Sequence, residues 1–418
     1  MNRKESGYRW AVFGAVLFVY FMMVSQRTAP GLITDRLMKD FHASASSIGL
    51  LSSFQFLAYA GFQIPVGLLS DRYGPNRFLI VGTFTAGLGT LITGFAPSVS
   101  ILLLGRFLDG MGDATIFINF VLILSKWFNG NEFVKLLGIV GLGAGFGSLF
   151  ATLPLSAWIS VTGWRSPFLT VGIILVVFSF ILYVVLVAKP KKLFADEKKE
   201  QPVFTQNKNI GTNILQMFSS RQAWATFLCH FGLVGTYIGF IGSWGVPYGI
   251  HVYGLSRAAA SQLIMYGLFG AMVGGPLISW ISSRYSIVKK MYTPIHALVL
   301  LSWGSWFALG TKPPLFLVVL LLFVIGFGNG ASSLTFVVVR KTFRTEEVGS
   351  ISGFANMGGF FSAILLPIVF GSVLDAFPTH AISTGYHFGL MIPMAFALMG
   401  FLGSLLINEK LFSENLLT

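Results

Sequence analysis

Residues 67–77 read Gly67-Leu68-Leu69-Ser70-Asp71-Arg72-Tyr73-Gly74-Pro75-Asn76-Arg77. This polar segment separates two apolar runs, near residues 46–69 and 78–96. Each run is long enough to cross a bilayer, which takes about 20 mostly apolar residues in a helix. Adjacent glycine and proline residues mark a turn. The segment therefore predicts a short charged loop between two transmembrane helices.

Long apolar runs alternate with short polar breaks over the rest of the chain as well. Only 10% of the residues are charged, whereas a soluble domain carries about 25%. Because backbone groups in hydrocarbon must be paired internally, the runs are predicted to be helices. The predicted fold class is an all-α membrane protein of twelve transmembrane helices, near residues 10–33, 46–69, 78–96, 99–125, 136–160, 166–188, 222–250, 258–282, 291–310, 314–338, 349–373 and 385–407.

The basic residues predict which side of the membrane each polar break faces. Most of them lie at the termini, in the central break and in the even-numbered breaks, and these regions are predicted to be cytoplasmic by the positive-inside rule. The odd-numbered breaks hold only Arg36, Lys39, Arg165, Arg257 and Lys312. Both termini are thus predicted inside, and the protein is predicted to lie in the inner (cytoplasmic) membrane. The net charge of +13 follows this topology, so no nucleic-acid partner is expected.

The largest polar break divides the chain into two similar halves. We predict an N-terminal six-helix half over residues 1–188, a cytoplasmic linker over 189–221 and a C-terminal six-helix half over 222–418. Gly145 precedes Pro154 by nine positions, and Gly358 precedes Pro367 by the same spacing. Repeats of this kind place a substrate site near the bilayer midplane between the halves.

The loop at residues 67–77 resembles the cytoplasmic signature between helices two and three of the major facilitator superfamily. The resemblance covers the whole chain and implies the major facilitator fold. It also implies that Asp71, Arg72 and Arg77 form a cytoplasmic gate. The alternative is an ordinary positive-inside turn.

Four Arg and Asp residues, all charged at neutral pH, lie inside predicted helices: Arg27 in the first, and Arg106, Asp109 and Asp113 in the fourth. An ionisable group at the bilayer centre costs roughly 2.5–3.5 kcal/mol on insertion scales, so such residues face a cavity or a partner. At 100° per residue, the three residues of helix four share one face within about 60°. The formal charges of the four residues, Arg27 included, sum to zero, so structural pairing is the alternative to a functional site.

Four patches resemble the anion:cation symporter branch of the superfamily. They are Arg106-x-x-x-Gly110-x-x-Asp113, Arg27 with Ala29, Pro30 and Asp40–Phe41, the helix-two residues Gly49, Ser53, Tyr59 and Gln63–Pro65, and the helix-eleven residues Gly353, Asn356, Gly359 and Pro367. The resemblance implies that Arg27 and Arg106 bind an anionic substrate and that Asp113 carries the coupling proton. The chain departs from the branch in having Gln26 before Arg27 and the additional acid Asp109, which is a second candidate for proton coupling.

Further polar and aromatic residues within the apolar helices are candidates for substrate contacts. Gln55, Tyr59 and Gln63 are spaced by four and share a face of helix two. The other candidates are Tyr237, Trp244, Tyr266 and Asn356. The alternative for each is a hydrogen bond that holds two helices together. Cys229 is the only cysteine and no histidine has a second ligand four residues away, so neither a metal site nor a cofactor is predicted.

These patterns favour a secondary active transporter without a catalytic site. We expect proton-coupled symport of a small organic anion by alternating access, with protons, the substrate and the lipid bilayer as partners of a monomer. The alternative is a proton-antiport exporter of a lipophilic or metabolite solute. Drug:proton antiporters of the superfamily resemble one another in a Gly-Pro-x-x-x-Gly-Gly-like run in helix five. This chain is glycine-rich there, from Gly141 to Gly147, but lacks the proline, which favours symport. A transporter-like sensor and an enzyme are the less favoured classes.

Overall fold

The computed structural model describes residues 3–42, 45–190 and 210–412, and this part of the chain is helical, without a β-strand. Most of the predicted linker, 191–209, lies outside the described residues. We label the membrane helices α1 (Arg3–Phe41), α2 (Ala45–Tyr73), α3 (Pro75–Phe95), α4 (Val99–Trp127), α5 (Gly130–Phe150), α6 (Arg165–Ala188), α7 (Arg221–Tyr253), α8 (Arg257–Tyr285), α9 (Lys289–Ala308), α10 (Leu315–Thr342), α11 (Val348–Asp375) and α12 (Ile382–Leu406).

The predicted twelve-helix architecture is confirmed. Ten helices in the described part of the chain are long and apolar enough to cross a membrane. The other two are α2, with 29 residues, and α9, with 20. A short helix, Ile210–Ser219, precedes α7.

π-Helical turns occur within α6 and α7 and directly after α5. In α6 the turn is the last one, Val184–Ala188. In α7, two such turns at Phe231–Gly235 and Phe240–Trp244 interrupt the α-helical hydrogen bonding. After α5, the turn Ala151–Leu155 contains Pro154 and leads into the short helix Ser156–Thr162. A proline cannot donate the hydrogen bond that the α-helical pattern requires at its position, so the irregular turn follows from the sequence.

The chain folds into two compact units, defined here by residue ranges. Unit 1 consists of the described residues in the ranges 1–129, 143–213 and 345–353. Unit 2 consists of the described residues in the ranges 130–142, 214–344 and 354–412. Unit 1 therefore includes the first turn of α11, although this turn belongs to the second half of the sequence.

Close packing in unit 1 depends on glycines in α4. A Cβ atom at Gly110 would overlap with the backbone carbonyl oxygen of Gln55 in α2. On the other side of α4, a Cβ atom at Gly112 would overlap with the backbone of Gly82 and Ala86 in α3. Small residues let helix backbones approach closely in membranes. These contacts fix α2 and α3 against the part of α4 that carries Asp109 and Asp113.

We predict that Gly110→Ala destabilises the protein, because the added methyl group meets backbone atoms that cannot move independently. Overpacking of this kind costs about 1–3 kcal/mol. The variant should show a lower midpoint of thermal unfolding in detergent.

Gly61→Ala is the matched control in α2, since no heavy atom lies within 4 Å of a Cβ built there. It should unfold at the wild-type temperature or slightly above it. Equal midpoints for the two variants would contradict the packing described for Gly110.

Candidate functional site

An ion pair joins α1 to α4 in unit 1. Arg27 Nε donates to Asp113 Oδ2 at 2.6 Å, and Arg27 Nη2 donates to Asp113 Oδ1 at 2.8 Å. The guanidinium also lies over the ring of Tyr59 in α2, at 4.7 Å from its centroid. The Asp113 side chain is 1% exposed and that of Arg27 is 14% exposed. The geometry is the bidentate fork by which arginine recognises carboxylates.

A second ion pair lies within α4 itself. Arg106 Nη1 donates to Asp109 Oδ2 at 2.8 Å, across three residues of the same helix. Gln55 of α2 contacts both partners, because its Oε1 accepts from Arg106 Nη2 and its Nε2 donates to Asp109 Oδ2 at 3.3 Å. The side chains of Arg106 and Asp109 are 1% and 0% exposed. The structure thus arranges the four predicted ionisable residues as two separate neutral pairs.

Two glutamines next to these pairs have a role that sequence reasoning did not assign. The spacing of Gln55 and Tyr59 places them on one face of α2, but it does not indicate that the Gln55 amide bridges Arg106 and Asp109. Gln26 is buried beside the cluster, and its backbone carbonyl accepts from Arg106 Nη2 at 3.4 Å. The sequence could have indicated a role for Gln26, because this residue directly precedes Arg27.

The predicted contact residues of α2 are enclosed in unit 1. Tyr59 and Gln63 are fully buried, and Tyr59 reaches the site through the ring contact with Arg27. A Cβ atom at Gly353, in the first turns of α11, would overlap with the backbone oxygen of Gln63. Gln63 therefore lies where α2 packs against α11.

The predicted contact residues of unit 2 are in different environments. Tyr237 is buried, whereas Tyr266 is exposed. The Trp244 Nε1 donates to the backbone oxygen of Pro367 at 3.2 Å, and its ring stacks on Phe370 at 5.5 Å. The indole N–H is therefore already used inside the unit.

The predicted site residue Asn356 is also buried in unit 2. It is hydrogen-bonded to His230 of α7, and His230 Nδ1 lies 3.2 Å from the hydroxyl of Thr335 in α10. His230 thus bridges side chains of two other helices.

Asp71, from the predicted gate, binds the N-terminus of α11 within unit 1. Its Oδ1 accepts from the backbone N–H of Gly349 at 2.7 Å, and its Oδ2 accepts from that of Ser350 at 2.6 Å. The first N–H groups of a helix have no partner within the helix and favour negative charge. Arg72 and Arg77 are exposed, and the Arg72 guanidinium lies 5.2 Å from the ring of Tyr73. Of the three predicted gate residues, Asp71 is thus the one whose described contact reaches another helix.

In the described part of the chain, no three His, Cys, Asp or Glu side chains lie close enough together to hold a metal ion. The polar side chains that the structure brings together in unit 1 are the two arginine–carboxylate pairs with their amide and phenol neighbours.

Comparison with known proteins places this arrangement in a family context. The family model described as Major Facilitator Superfamily matches residues 16–367. The D-galactonate transporter of Escherichia coli is 24% identical over 432 residues, covering 97% of each chain. The probable galactarate/D-glucarate transporter GudP of Bacillus subtilis is 25% identical over 406 residues, covering 89% of this chain and 87% of the relative.

Two solved structures share the fold. FucP in the outward conformation aligns with a TM-score of 0.73 at 13% identity, over 95% of this chain and 98% of that chain. The bacterial homologue of the lysosomal transporter Spinster aligns with a TM-score of 0.60 at 19% identity, over 96% and 98% of the two chains.

We predict that Asp71→Asn weakens the attachment of α11 in unit 1. An asparagine has one acceptor oxygen and no charge, so it cannot accept both backbone N–H groups as the carboxylate does. Hydrogen bonds to a charged group contribute about 1.5–3 kcal/mol, and the loss should lower the midpoint of thermal unfolding in detergent.

Arg77→Gln serves as the control, since it removes an exposed charge from the same loop and should change stability by no more than about 0.5 kcal/mol. If Asp71→Asn unfolded at the same temperature as this control, the contact between Asp71 and α11 would contribute nothing to stability.

Proposed function

The chain belongs to the Major Facilitator Superfamily, whose members are membrane transporters and not enzymes, and we propose that it moves a small organic anion across the cytoplasmic membrane by proton-coupled symport. The observation that carries the proposal is the bidentate Arg27–Asp113 pair with a partly exposed guanidinium. The named substrates of the similar D-galactonate and galactarate/D-glucarate transporters are carboxylates, which supports an anionic substrate.

Arg27 is the proposed anion ligand. Its fork holds the Asp113 carboxylate in the geometry that a substrate carboxylate would need. The two carboxylates therefore compete for one guanidinium. Tyr59 supports the position of this guanidinium through its ring, at 4.7 Å.

Competition for Arg27 provides the proposed coupling between substrate and proton. A protonated Asp113 is neutral and no longer holds Arg27, so the substrate carboxylate can bind. When the substrate leaves, Asp113 releases its proton and neutralises Arg27 again. Because an unpaired buried charge is strongly unfavourable, the carrier reorients only when one of the two carboxylates occupies Arg27.

This exchange keeps the net charge of the site constant. The empty site holds Arg27 and an ionised Asp113, and the loaded site holds Arg27, a protonated Asp113 and a monovalent anion. Both states are neutral, so transport of one monoanion with one proton is electroneutral. The pH difference across the membrane then provides the driving force.

We also propose the topology, the cytoplasmic gate and further substrate contacts. The protein acts as a monomer in the inner membrane by alternating access, with both termini in the cytoplasm and with Asp71 acting in the cytoplasmic gate together with Arg72 and Arg77. Further substrate contacts are proposed for Gln63, Tyr237, Tyr266 and Asn356, and for the ring face of Trp244.

Uptake of radiolabelled hydroxycarboxylates into proteoliposomes tests the proposal. With the outside more acidic than the inside, the purified protein should accumulate at least one of these acids, and an uncoupler should abolish the accumulation. A membrane potential alone should not drive uptake of a monoanion. Accumulation only when the inside is the more acidic compartment would instead show proton antiport and would overturn the proposal.

We predict that Asp113→Asn abolishes accumulation driven by a pH difference while exchange of preloaded substrate continues. The neutral amide resembles the protonated acid and leaves Arg27 available to the substrate. The empty carrier then has an uncompensated guanidinium and cannot return. Proton-driven uptake and counterflow measured on the same proteoliposomes separate the two reactions.

Asp375→Asn is the matched control, because it neutralises an exposed carboxylate at the end of α11 and should leave both reactions intact. Continued accumulation by Asp113→Asn under an imposed pH difference would show that another group carries the proton.

A further inference from the structure

The second ion pair, Arg106–Asp109, has no role in the exchange at Arg27. We infer that Asp109 and Gln55 occupy Arg106 so that the site offers a single arginine to the substrate, and that this makes the transporter selective for monocarboxylates over dicarboxylates. The inference rests on the proposed anion transport and adds Asp109 as a residue that determines specificity.

Arg106 has hydrogen-bond partners on both of its terminal nitrogens. Its Nη1 donates to Asp109 Oδ2 at 2.8 Å, and its Nη2 donates to Gln55 Oε1 and, at 3.4 Å, to the backbone oxygen of Gln26. Both terminal nitrogens are thus engaged, Nε is buried without a hydrogen-bond partner among the described residues, and the side chain is 1% exposed. A substrate carboxylate could bind Nη1 and Nη2 together only by displacing Asp109 or Gln55.

The side-chain partners of Arg106, Asp109 and Gln55, are held firmly in place. Asp109 is three residues from Arg106 on the same helix, so no movement between helices separates them. Gln55 orients its oxygen to the arginine and its nitrogen to the aspartate, at 3.3 Å from Asp109 Oδ2, which complements both ends of the pair. The absence of a side chain at Gly110 keeps the α2 backbone at Gln55 against α4.

Arg27 differs from Arg106 in both respects. It is 14% exposed, and its carboxylate partner lies on a different helix. Asp113 can also give up its charge by taking the proton, which releases the guanidinium. Of the two arginines, Arg27 is therefore the one that a substrate can reach.

The charges then determine which anions fit. With Asp113 protonated, Arg27 compensates one negative charge, and the Arg106–Asp109 pair contributes none. A monocarboxylate leaves the site neutral, whereas a dicarboxylate brings one uncompensated negative charge into a buried region, which is strongly unfavourable. Release of Arg106 from Asp109 would provide the missing positive charge.

Binding to the purified wild-type protein tests the charge count directly. The ligands are sets that share one carbon skeleton, such as D-galactonate, galactarate and the monoamide of galactarate, together with the corresponding four- and five-carbon sets. Thermal stabilisation and competition with uptake are measured at pH 7, where both carboxyls of the diacid are ionised. The monoacid and the monoamide of a set should bind, and the diacid should bind at least about tenfold more weakly. Because the monoamide has the size of the diacid without its second charge, it separates charge from size.

The variant Asp109→Asn should reverse this preference. It leaves Arg106 charged and available, so the ratio of diacid to monoacid affinity should rise by at least about tenfold. Adding R106Q to D109N should remove this gain, because the second carboxylate then has no guanidinium to bind. The wild-type comparison keeps the inference testable if Asp109→Asn does not fold.

The inference is overturned if the wild type binds a diacid as tightly as the matching monoacid, or if folded Asp109→Asn gains no affinity for diacids. A gain that persists in the double variant would also overturn it, since Arg106 would not be its source. If no acid of the panel binds to the wild type, the proposed anion transport fails and the inference fails with it. Monoacid binding without discrimination leaves the proposed function standing and removes only the inference.

Discussion

The cost of holding a charge in hydrocarbon determines how unit 1 is built. Each ionisable side chain placed there needs a counter-charge, because an isolated charge in such an environment is very unfavourable. Arg27 and Arg106 have Asp113 and Asp109 as partners, so four charges form two neutral pairs. The Asp71 carboxylate meets the same requirement with backbone N–H groups at the start of α11.

Pairing is possible only because the helices approach closely where the charges lie. Gly110 and Gly112 lie between the acidic residues Asp109 and Asp113 of α4, so the residues that carry charge and those that permit contact share one short segment. The backbone of α2 lies against Gly110, which brings Gln55 to Asp109 and Tyr59 to Arg27. The glycine content of the sequence and its intramembrane charges are thus two parts of one arrangement.

The sequence predicted the helices well, because the length of an apolar run directly reflects the thickness of the bilayer. It also indicated the Arg106–Asp109 contact, since residues three apart on a helix are neighbours. The Arg27–Asp113 pair was harder to predict from the sequence, because its partners are 86 positions apart in the chain. Whether they meet depends on how each of the two helices is rotated about its axis. For the same reason, sequence spacing could not separate the exposed Tyr266 from the buried Tyr237, or show that Pro367 accepts from the Trp244 indole.

The three carboxylates differ in how their partners are connected to them, and this difference suggests a division of roles. Asp109 and Arg106 belong to one helix, so a rigid movement of α4 carries both and leaves their pair intact. Asp113 binds an arginine of α1, and Asp71 binds the first turn of α11, so each of these contacts joins two separate helices. A contact between helices can break and form again when the helices move, whereas a contact within a helix persists. Exchange chemistry therefore fits Asp113 and gating fits Asp71, while Asp109 is suited to a constant role such as fixing the charge that the site presents.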